Sequence, residues 1–505
     1  MTVELLDAGV ELRPDPSRVV ARLFLPGEGF SRTGSRAGEI MDRIEAMPPA
    51  ELHEAAQSIL ASFGSRHREL LALLRRHAST FAFRAGGSPS IDRDHEIVLG
   101  AVFTAEHSIE GAALCNPSAV VHPDQSGLAP GELRLAIALR AIAEGHVSSI
   151  EFVTAVVGTG WVFEPRPVPV VTASVSAGDW TRAHFRESLE MEGRLNEVSA
   201  AIVRALPAAF RSSQIEAAIN DVPSELAQRH DTREDLDVIR TMASSAYHAD
   251  FPPSSTLGQR VLLPAASDEM NGVEDARFVL FTHTDGRTEY RATYTAYNGR
   301  AIASRLIVSP DLLTFAVHRL SGPAAWNKGM ALFPRPIGGK MFALTRTDGE
   351  NTSVARSSNG LSWTDIAELH RPAELWEIVQ TGNCGSPIET AQGWLVILHG
   401  VGPMRQYSIG AMLLDLHDPT IVVARLVEPL LRPLDGEREG YVPNVVYSCG
   451  AIEHDGIVWL PYGIGDQRIR VVSVQLTELL AAMTPEPAPE PAQEPSATGP
   501  GPSPA

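Results

Sequence analysis

The sequence is poor in cysteine, in aromatic residues and in positive charge. Its 505 residues include three cysteines, Cys115, Cys384 and Cys449, and aromatic residues make up 6%. The cysteines are widely spaced and form no metal-type pair, so we predict reduced, buried thiols. Lysine and arginine number 42 against 61 aspartates and glutamates, which gives a net charge of −19. This excess of negative charge argues against nucleic acid or an anionic membrane as the main partner.

Long apolar runs and several catalytic signatures are also missing. No apolar run approaches the roughly 18 residues that a membrane-spanning helix needs. The N-terminal residues contain no basic stretch ahead of an apolar one, so no secretory signal is expected and a cytoplasmic protein is predicted. We find no glycine-rich nucleotide loop, no Gly-x-Ser-x-Gly elbow and no metal-ligand spacing. Neither a cofactor nor a metal is therefore expected.

The C-terminal half contains a unit that recurs. Asn327, Asn383 and Asn444 each precede a short apolar run, and they are 56 and 61 residues apart. Self-similarity at a period of about 40–50 residues or somewhat more is typical of β-propeller blades, each a small sheet that cannot bury its faces alone. We therefore predict a mainly β protein, a five-bladed propeller with added helical regions.

Changes in hydrophobic periodicity divide the chain into regions. Leucines at helical spacing follow Pro48-Pro49, and a helical pattern returns after residue 180. Short apolar runs between turn residues indicate strands elsewhere. From Thr484 onward Pro, Glu, Ala and Ser dominate, a composition typical of disorder. We predict an N-terminal arm and helical region at 1–105, a first blade at 106–178, a helical insertion at 179–252, four further blades at 253–480 and a disordered tail at 481–505.

Carboxylates stand at the start of one predicted innermost strand. Glu274-Asp275 directly precedes the apolar run 278–281, so these side chains would point toward the central channel. A purely structural interpretation stays open, in which Asp275 caps the turn and pairs with Arg277. The starts of the other blades favour a shared pocket, because they place further polar groups at one register. These groups are Lys328, Asn383, Tyr441 and Asn444 in the later blades. Asn116 and Arg140 interrupt the apolar pattern of the first blade, and we expect them to line the same pocket.

A second ring of polar residues follows the next strands of the blades. Tyr297 and Arg300 end one such strand, and Arg346 and His399 occupy comparable places in other blades. We select Arg300, Lys328 and His399 as an anion-binding cradle, because arginine offers a planar fork and lysine a point charge. Each of these residues alone could equally be a surface ion pair or, for His399, an interior histidine.

Taken in order, these segments resemble glycoside hydrolase family 130, whose members are five-bladed propellers that act as mannoside phosphorylases and related mannosidases. The resemblance covers roughly residues 110–175 and 256–475. It rests on seven motifs, which are Gly272-Val-Glu-Asp-Ala-Arg277, Tyr294-Thr-Ala-Tyr-Asn-Gly299, Asn327-Lys-Gly-Met-Ala-Leu-Phe-Pro334, Gly393-Trp-Leu-Val-Ile-Leu-His-Gly400, Ile409-Gly-Ala-Met-Leu-Leu-Asp-Leu-His-Asp-Pro419, Ala424-Arg-Leu-Val-Glu-Pro429 and Tyr441-Val-Pro-Asn-Val-Val446.

The resemblance implies roles for particular residues. Asp275 would be the general acid with Glu274 beside it, and Lys328, His399 and Arg300 would bind phosphate. The partners expected are a small oligosaccharide and inorganic phosphate as co-substrate. The added helical regions, which the resemblance does not cover, could close over the pocket, cover a blade edge or form the interface of a homo-oligomer. The residues expected to bind substrate are Asn116, Arg140, Arg277, Tyr297, Asn383, Tyr441, Asn444 and Asp466.

The reaction expected is phosphorolysis of a β-mannoside-type bond with inversion, giving a sugar 1-phosphate. A protonated Asp275 would require a raised pKa, most easily from burial beside Glu274. One alternative is an inverting glycosidase, which needs a second carboxylate to activate water. The candidates for that base are Glu389, Glu437, Glu439 and Asp466. A second alternative is a non-catalytic propeller that binds glycans or proteins.

Overall fold

The computed structural model describes residues 3–24, 35–84, 92–227 and 232–487, and the fold is mainly β, as predicted. Its N-terminal part contains helices that pack around a core of their own, which includes Leu74, Phe81 and Phe103. Pro49 starts one helix, because its fixed φ suits the first helical position. The elements of this part are β1 (Leu6–Leu12), β2 (Val19–Leu23), α1 (Arg36–Glu45), α2 (Pro49–Phe63), α3 (Leu70–Arg84), α4 (Arg93–Val102) and β3 (Thr104–Ser108).

An antiparallel meander follows, in which nearly every residue of its central strands is buried. Continuous burial of this kind means that both faces of the sheet are covered. The strands of the meander are β4 (Ala113–Val121), β5 (Leu133–Ile142), β6 (Ser148–Val157) and β7 (Trp161–Phe163), and the chain continues with β8 (Val171–Thr172), β9 (Ser174–Ala177) and β10 (Asp179–Thr181).

Helices then form a second small core around Trp180, Phe185, Ile202 and Met242. Their bounds, with the strands between and after them, are α5 (Arg182–Met191), α6 (Glu197–Ala205), β11 (Ala209–Arg211), α7 (Ile215–Asn220), α8 (Ser224–Ala227), α9 (Thr232–Ser244) and β12 (Tyr247–Asp250). The region 179–252 was predicted to be helical throughout, but β12 pairs with strands on both sides, at residues 174–177 and 314–317. Its apolar residues are buried by the sheet rather than by the helices.

The remaining strands form sheets in chain order. The first is the large sheet that also contains β4 to β9 and β12, and β13 pairs there with β6 and β8. The strands that it adds are β13 (Arg260–Leu262), β14 (Gly272–Thr282), β15 (Thr288–Tyr297), β16 (Ile302–Ser309) and β17 (Thr314–Arg319). Those of the second are β18 (Ala331–Leu332), β19 (Met341–Thr345), β20 (Thr352–Ser357) and β21 (Thr364–His370). The third contains β22 (Gln380–Asn383), β23 (Ile388–Thr390), β24 (Gly393–Val401), β25 (Tyr407–Leu414) and β26 (Val422–Arg425). The fourth contains β27 (Val446–Tyr447), β28 (Ile452–His454), β29 (Ile457–Ile464) and β30 (Arg468–Gln475). The chain continues with α10 (Leu476–Ala481) and β31 (Thr484–Pro485).

In these sheets, strands that are consecutive in the sequence mostly pair with each other. β14 to β17 pair in sequence, and β14 touches β6 through the single parallel pair Gly272–Ser148. A Cβ at Gly272, whose φ is +139°, would stand 2.8 Å from the backbone nitrogen of Ser148, so glycine allows this close approach. β18 to β21 form their own sheet, as do β22 to β26 and the group β27 to β30.

Both ends of the described chain add strands to these sheets. β1 pairs antiparallel with β30, so residues of the predicted N-terminal arm complete the last sheet. β31 pairs with β26 at Ala424 and Arg425, so the predicted disordered tail at 481–505 contains a strand in its first residues. Residues 488–505 lie outside the described part of the chain. None of the described helices is long and apolar enough to cross a membrane.

A buried ion cluster attaches the segment between β1 and β2 to the first sheet. Arg18 is fully buried and contacts Glu110 at 2.8 Å and Glu151 at 2.6 Å, while Arg166 also pairs with Glu110. Burial, together with the negative charge of Glu110, raises the pKa of Glu151 to about 8. The cysteines Cys115, Cys384 and Cys449 are free and buried, as predicted.

Candidate active site

A cavity of about 350 Å³ lies where several inner strands begin. Its lining is unusually cationic for a chain of net charge −19, because Arg140, Arg277, Lys328, Arg346 and Arg405 contribute to it. Two lining residues carry carboxylates, Asp275 and Asp466. The other residues of the lining are Asn116, Gly329, Gln380, Gly382, Asn383, His399, Tyr407, Val442, Pro443, Val445 and Tyr447.

Asn116 and Asp275 occupy matching breaks in two inner strands. The ladder of β4 shifts register between Cys115 and Ser118, and that of β14 shifts between Glu274 and Arg277. At these breaks Asn116 has φ +52° and Asp275 has φ +57°, a backbone region that side-chain-bearing residues seldom occupy. Asn and Asp tolerate it best, since their short polar side chains bond locally. Each bulge turns its polar side chain into the cavity.

The carboxylate of Asp275 is surrounded by donors and positive charge. Asn116 donates to its Oδ1 at 2.6 Å, and Nη1 of Arg140 lies 3.3 Å from the same atom. Burial acts to raise its pKa, but the positive charges of Arg140, Arg277 and Lys328 outweigh burial and lower the pKa of Asp275 to about 2. The expectation of a raised pKa for Asp275 is therefore wrong, because the surrounding positive charge favours its ionised form.

The pKa of Glu274 shifts in the opposite direction from that of Asp275. Its Oε1 accepts from Nη2 of Arg140 at 2.6 Å, yet burial and the nearby charge of Asp275 raise its pKa. Arg140 also donates from Nε to the hydroxyl of Ser148 at 3.0 Å. Arg140 thus orients both carboxylates of the Glu274-Asp275 pair.

Arg277 is 2% exposed and holds three parts of the site together. It donates to the backbone oxygens of Cys384 and Asp275, each at 2.9 Å, and to the hydroxyl of Tyr447 at 2.9 Å. The prediction that Arg277 pairs with Asp275 through a turn is correct only for the backbone of Asp275. The bonds to Cys384 and Tyr447 link β14 to the third and fourth sheets, so this guanidinium positions the cavity wall.

The opposite side of the cavity contains a paired arginine and histidine. Nη1 of Arg346 lies 3.1 Å from Nε2 of His399, which is buried. Burial and the charge of Arg346 lower the pKa of His399 well below its usual value, so its ring is neutral and Nε2 accepts from Arg346. Gly382 makes room for this ring, since a Cβ there would stand 2.7 Å from Cε1 of His399. Lys328, whose side chain is exposed, also lines the cavity.

Arg300 does not belong to this group, contrary to the sequence-based selection. It lies exposed in the turn after β15, where its backbone nitrogen donates to Asn298, and it does not line the cavity. Arg346 takes the place that was assigned to Arg300. Arg346 directly follows β19, whereas Arg300 stands three residues beyond the end of β15. The distance of each arginine from its strand end was the signal that could have separated them.

The other residues selected from the sequence also fall into two groups, those that line the cavity and those that do not. Asn383 lines the cavity and donates from Nδ2 to the carbonyl of Gly329 at 2.9 Å. Tyr297, Tyr441 and Asn444 do not line it. The hydroxyl of Tyr441 instead bonds Nδ1 of His146 at 2.6 Å. Tyr407 and Tyr447, whose rings pack beside His399, were not selected from the sequence, because no charged or motif position marked them as site residues.

Among the carboxylates proposed as a base, Asp466 alone lines the cavity. Burial, together with the charges of Asp275 and Glu274, raises the pKa of Asp466 to about 6 against the opposing charge of Arg140. Glu389 pairs with Arg335 at 2.6 Å, Glu437 contacts Arg470 at 3.2 Å, and Glu439 is exposed. Within the described residues, no cluster of His, Cys, Asp and Glu could hold a metal ion.

Comparison with known proteins gives a consistent assignment. Residues 255–485 match a family model described as beta-1,4-mannooligosaccharide phosphorylase. A 1,2-beta-oligomannan phosphorylase from Thermoanaerobacter sp. (strain X514) is 34% identical over 230 residues, which cover 44% of this chain and 75% of that protein. A beta-1,2-mannobiose phosphorylase from the same organism is 36% identical over 221 residues, which cover 43% of this chain and 70% of that protein.

One solved structure is that of a beta-1,2-mannobiose phosphorylase from Listeria innocua in complex with beta-1,2-mannobiose. It is 20% identical with a TM-score of 0.43, and the match covers 75% of this chain and 93% of that chain. From its sequence relatives, the chain belongs to glycoside hydrolase family 130, as its motifs predicted.

Proposed function

We propose that this chain is an inverting phosphorylase of β-1,2-linked mannosides. The observation that carries the proposal is the cavity lining, in which cationic side chains outnumber carboxylates five to two. An oxyanion nucleophile such as phosphate needs such a cradle, whereas hydrolysis needs a carboxylate to activate water. The two sequence relatives named above, both called phosphorylases of β-1,2-mannosides, support the substrate.

In this proposal phosphate binds between Lys328 and the Arg346–His399 pair. One phosphate oxygen attacks the anomeric carbon from the face opposite the glycosidic oxygen, so the new C–O bond forms as the glycosidic bond breaks and the configuration inverts. Neutral His399 contributes as a partner that orients Arg346 rather than as a charge. Arg277 positions the wall of the cavity through its bonds to Cys384 and Tyr447.

Asp275 supplies the proton that the leaving oxygen requires, directly or through a sugar hydroxyl. Because the surrounding positive charge keeps Asp275 ionised, it must gain that proton as the substrates bind. Phosphate brings negative charge close to Lys328 and Arg346 and so offsets part of the positive potential that lowers the pKa of Asp275. Exclusion of water by the sugar acts in the same direction, since burial favours the neutral carboxyl group.

The sheets are assigned to five blades in the same proposal. The first blade contains β4 to β7 and the second contains β14 to β17. The other three are β18 to β21, β22 to β26, and β27 to β30, with β1 completing the last. The helices α5 to α9 are then an insertion after the first blade, and a homo-oligomer through the helical regions remains part of the proposal.

Product analysis with β-1,2-mannobiose tests the function. We expect mannose and α-mannose 1-phosphate in equal amounts when inorganic phosphate is present, and no turnover when it is left out. Release of mannose alone at a rate that phosphate does not change would identify a hydrolase with Asp466 as its base. Absence of turnover on any β-mannoside, with or without phosphate, would favour the non-catalytic alternative.

A further inference from the structure

A second cavity, of about 640 Å³, lies between two helices and the ends of the strands that follow Asp275. On the helix side it is bounded by α5 and α9, through residues such as Met191 and Thr241. On the sheet side it is bounded by the turn after β15, by Arg319 at the end of β17, and by Trp326. Nothing in the proposed reaction uses this space.

The second cavity opens on the same end of the sheet as the catalytic cavity. Gly272, at the start of β14, pairs with Tyr297 at the end of β15, and Arg305 near the start of β16 pairs with Arg319. The turn after β15 and the segment after β17 therefore lie at the end where Asp275 lies. Trp326 lines the second cavity and Lys328 lines the first, so at most about 7.6 Å separates their Cα atoms.

Three features of the lining suit a neutral, hydroxyl-rich ligand. Trp326 leaves 66% of its surface exposed, which provides a flat apolar face with a polar edge. Asp268 is largely buried, and its Oδ1 has no hydrogen-bond partner among the described residues, although its Oδ2 pairs with Arg305 and Arg319. Carboxylates exceed guanidinium groups in the lining, so a second anion would be repelled. The charged lining residues are Glu192, Glu234, Asp237 and Asp268, against Arg194 and Arg319.

The helix side of this cavity belongs to the part of the chain that the family model does not match. The model covers residues 255–485, whereas α5 and α9 lie at 182–191 and 232–244. The catalytic cavity is built mostly from matched residues, with Asn116 and Arg140 as exceptions. The second cavity therefore exists because α5 and α9 pack beside the ends of β15, β16 and β17.

We propose that the second cavity binds the mannose units of an oligosaccharide substrate that extend beyond the bond being cleaved, and that it makes the enzyme select longer chains. This inference rests on the proposed function. A sugar ring stacks on Trp326, and the free oxygen of Asp268 accepts a hydrogen bond from a sugar hydroxyl, as a buried carboxylate oxygen requires of a partner. The segment from Trp326 to Lys328 then separates the cleaved unit from the rest of the chain.

The test compares kcat/KM for β-1,2-mannobiose with that for β-1,2-mannotriose and β-1,2-mannotetraose, all with phosphate. Trp326→Ala removes the stacking face, and Thr241→Trp fills the cavity from an exposed position on α9. We expect both variants to lose roughly 5- to 10-fold on the longer chains and to keep the rate on the disaccharide. Phe83→Ala, which removes an aromatic side chain that is 82% exposed on α3, is the matched control and should change neither.

Equal ratios of the longer-chain rate to the disaccharide rate in wild type and in both variants would overturn the proposal. A wild-type enzyme that degrades none of these substrates would instead contradict the proposed function. Saturation-transfer NMR with β-1,2-mannotriose then still tests the cavity. Binding to wild type that is lost in Trp326→Ala and Thr241→Trp supports a sugar site, whereas binding unchanged by either substitution, or no binding to wild type, overturns it.

Discussion

Nδ2 of Asn116 donates a 2.6 Å hydrogen bond to Oδ1 of Asp275, and both residues lie in the left-handed backbone region at a bulge of their strand. The two residues are 159 positions apart in the chain. Strained backbone persists only where surrounding structure enforces it, and here the two bulges face each other across one cavity. The pair fixes the direction of the carboxylate that we propose as the acid.

The first prediction concerns Asp275→Asn. Asparagine tolerates a positive φ as aspartate does, so the fold should be kept while the transferable proton is lost. We expect kcat for phosphorolysis to fall about 10²- to 10⁴-fold, the usual contribution of a general acid. The control is Asp365→Asn, because Asp365 is an exposed aspartate with φ +49°. Full turnover by Asp275→Asn would show that the acid has been assigned to the wrong residue.

The second prediction separates two arginines. Arg346→Ala should raise KM for phosphate roughly 10- to 100-fold, since a hydrogen bond to a charged group is worth about 1.5–3 kcal/mol. Arg300→Ala should leave KM unchanged, because Arg300 is exposed and outside the cavity. Steady-state kinetics at varied phosphate and saturating disaccharide measures both. The opposite ranking of the two variants would restore the sequence-based selection.

Sequence and structure agree on much of this site and differ over its arginine. The motif at 272–277 and the polar residues at strand starts were visible in the sequence, and the structure brings Asn116, Arg140, Asp275 and Lys328 to one cavity. The sequence did not show how the strand ends of blades that differ in length align with one another. Arg300 and Arg346 both follow second strands of their sheets, and a difference of two residues in distance from the strand end turns one toward solvent and the other toward His399.

The third prediction uses the titration of Asp466. Its pKa rises from the ordinary 3.8 to about 6 in the folded chain, so folding favours its protonated form. The stabilisation that this group contributes is complete below about pH 4 and is lost as the pH rises through about 6. Asp466→Asn should therefore increase the free energy of unfolding at pH 7 by about 3 kcal/mol and have little effect at pH 4.

Urea unfolding of wild type and Asp466→Asn at the two pH values measures this difference. Asp455→Asn is a suitable control, because Asp455 is exposed and also has a positive φ, of +51°. An equal effect of Asp466→Asn at pH 4 and pH 7 would mean that packing, rather than the cost of ionising a carboxylate that is buried beside Asp275 and Glu274, sets the stability at this position.

The fourth prediction concerns the buried ion cluster. Arg18→Ala leaves Glu110 and Glu151 buried beside each other without their shared cation, although Arg166 still contacts Glu110. Loss of one partner from a buried ion pair costs about 3–5 kcal/mol. Arg13→Ala removes an exposed arginine that pairs with Glu11 and should change stability by no more than about 0.5 kcal/mol. Thermal unfolding of both variants measures the two losses of stability. Similar losses in Arg18→Ala and Arg13→Ala would contradict the role given to the cluster.

The sequence by itself determined the family, the mainly β architecture and the strand start that presents Glu274 and Asp275, because these follow from local motifs and from periodicity along the chain. Only the tertiary structure decided that Asp275 is ionised, that Arg346 stands beside His399 and that the helices enclose a second cavity at Trp326. A pKa depends on the charges that approach a carboxylate through space. Arg140, Arg277 and Lys328 meet around Asp275 from three separate strands or loops, and no spacing in the sequence encodes those distances.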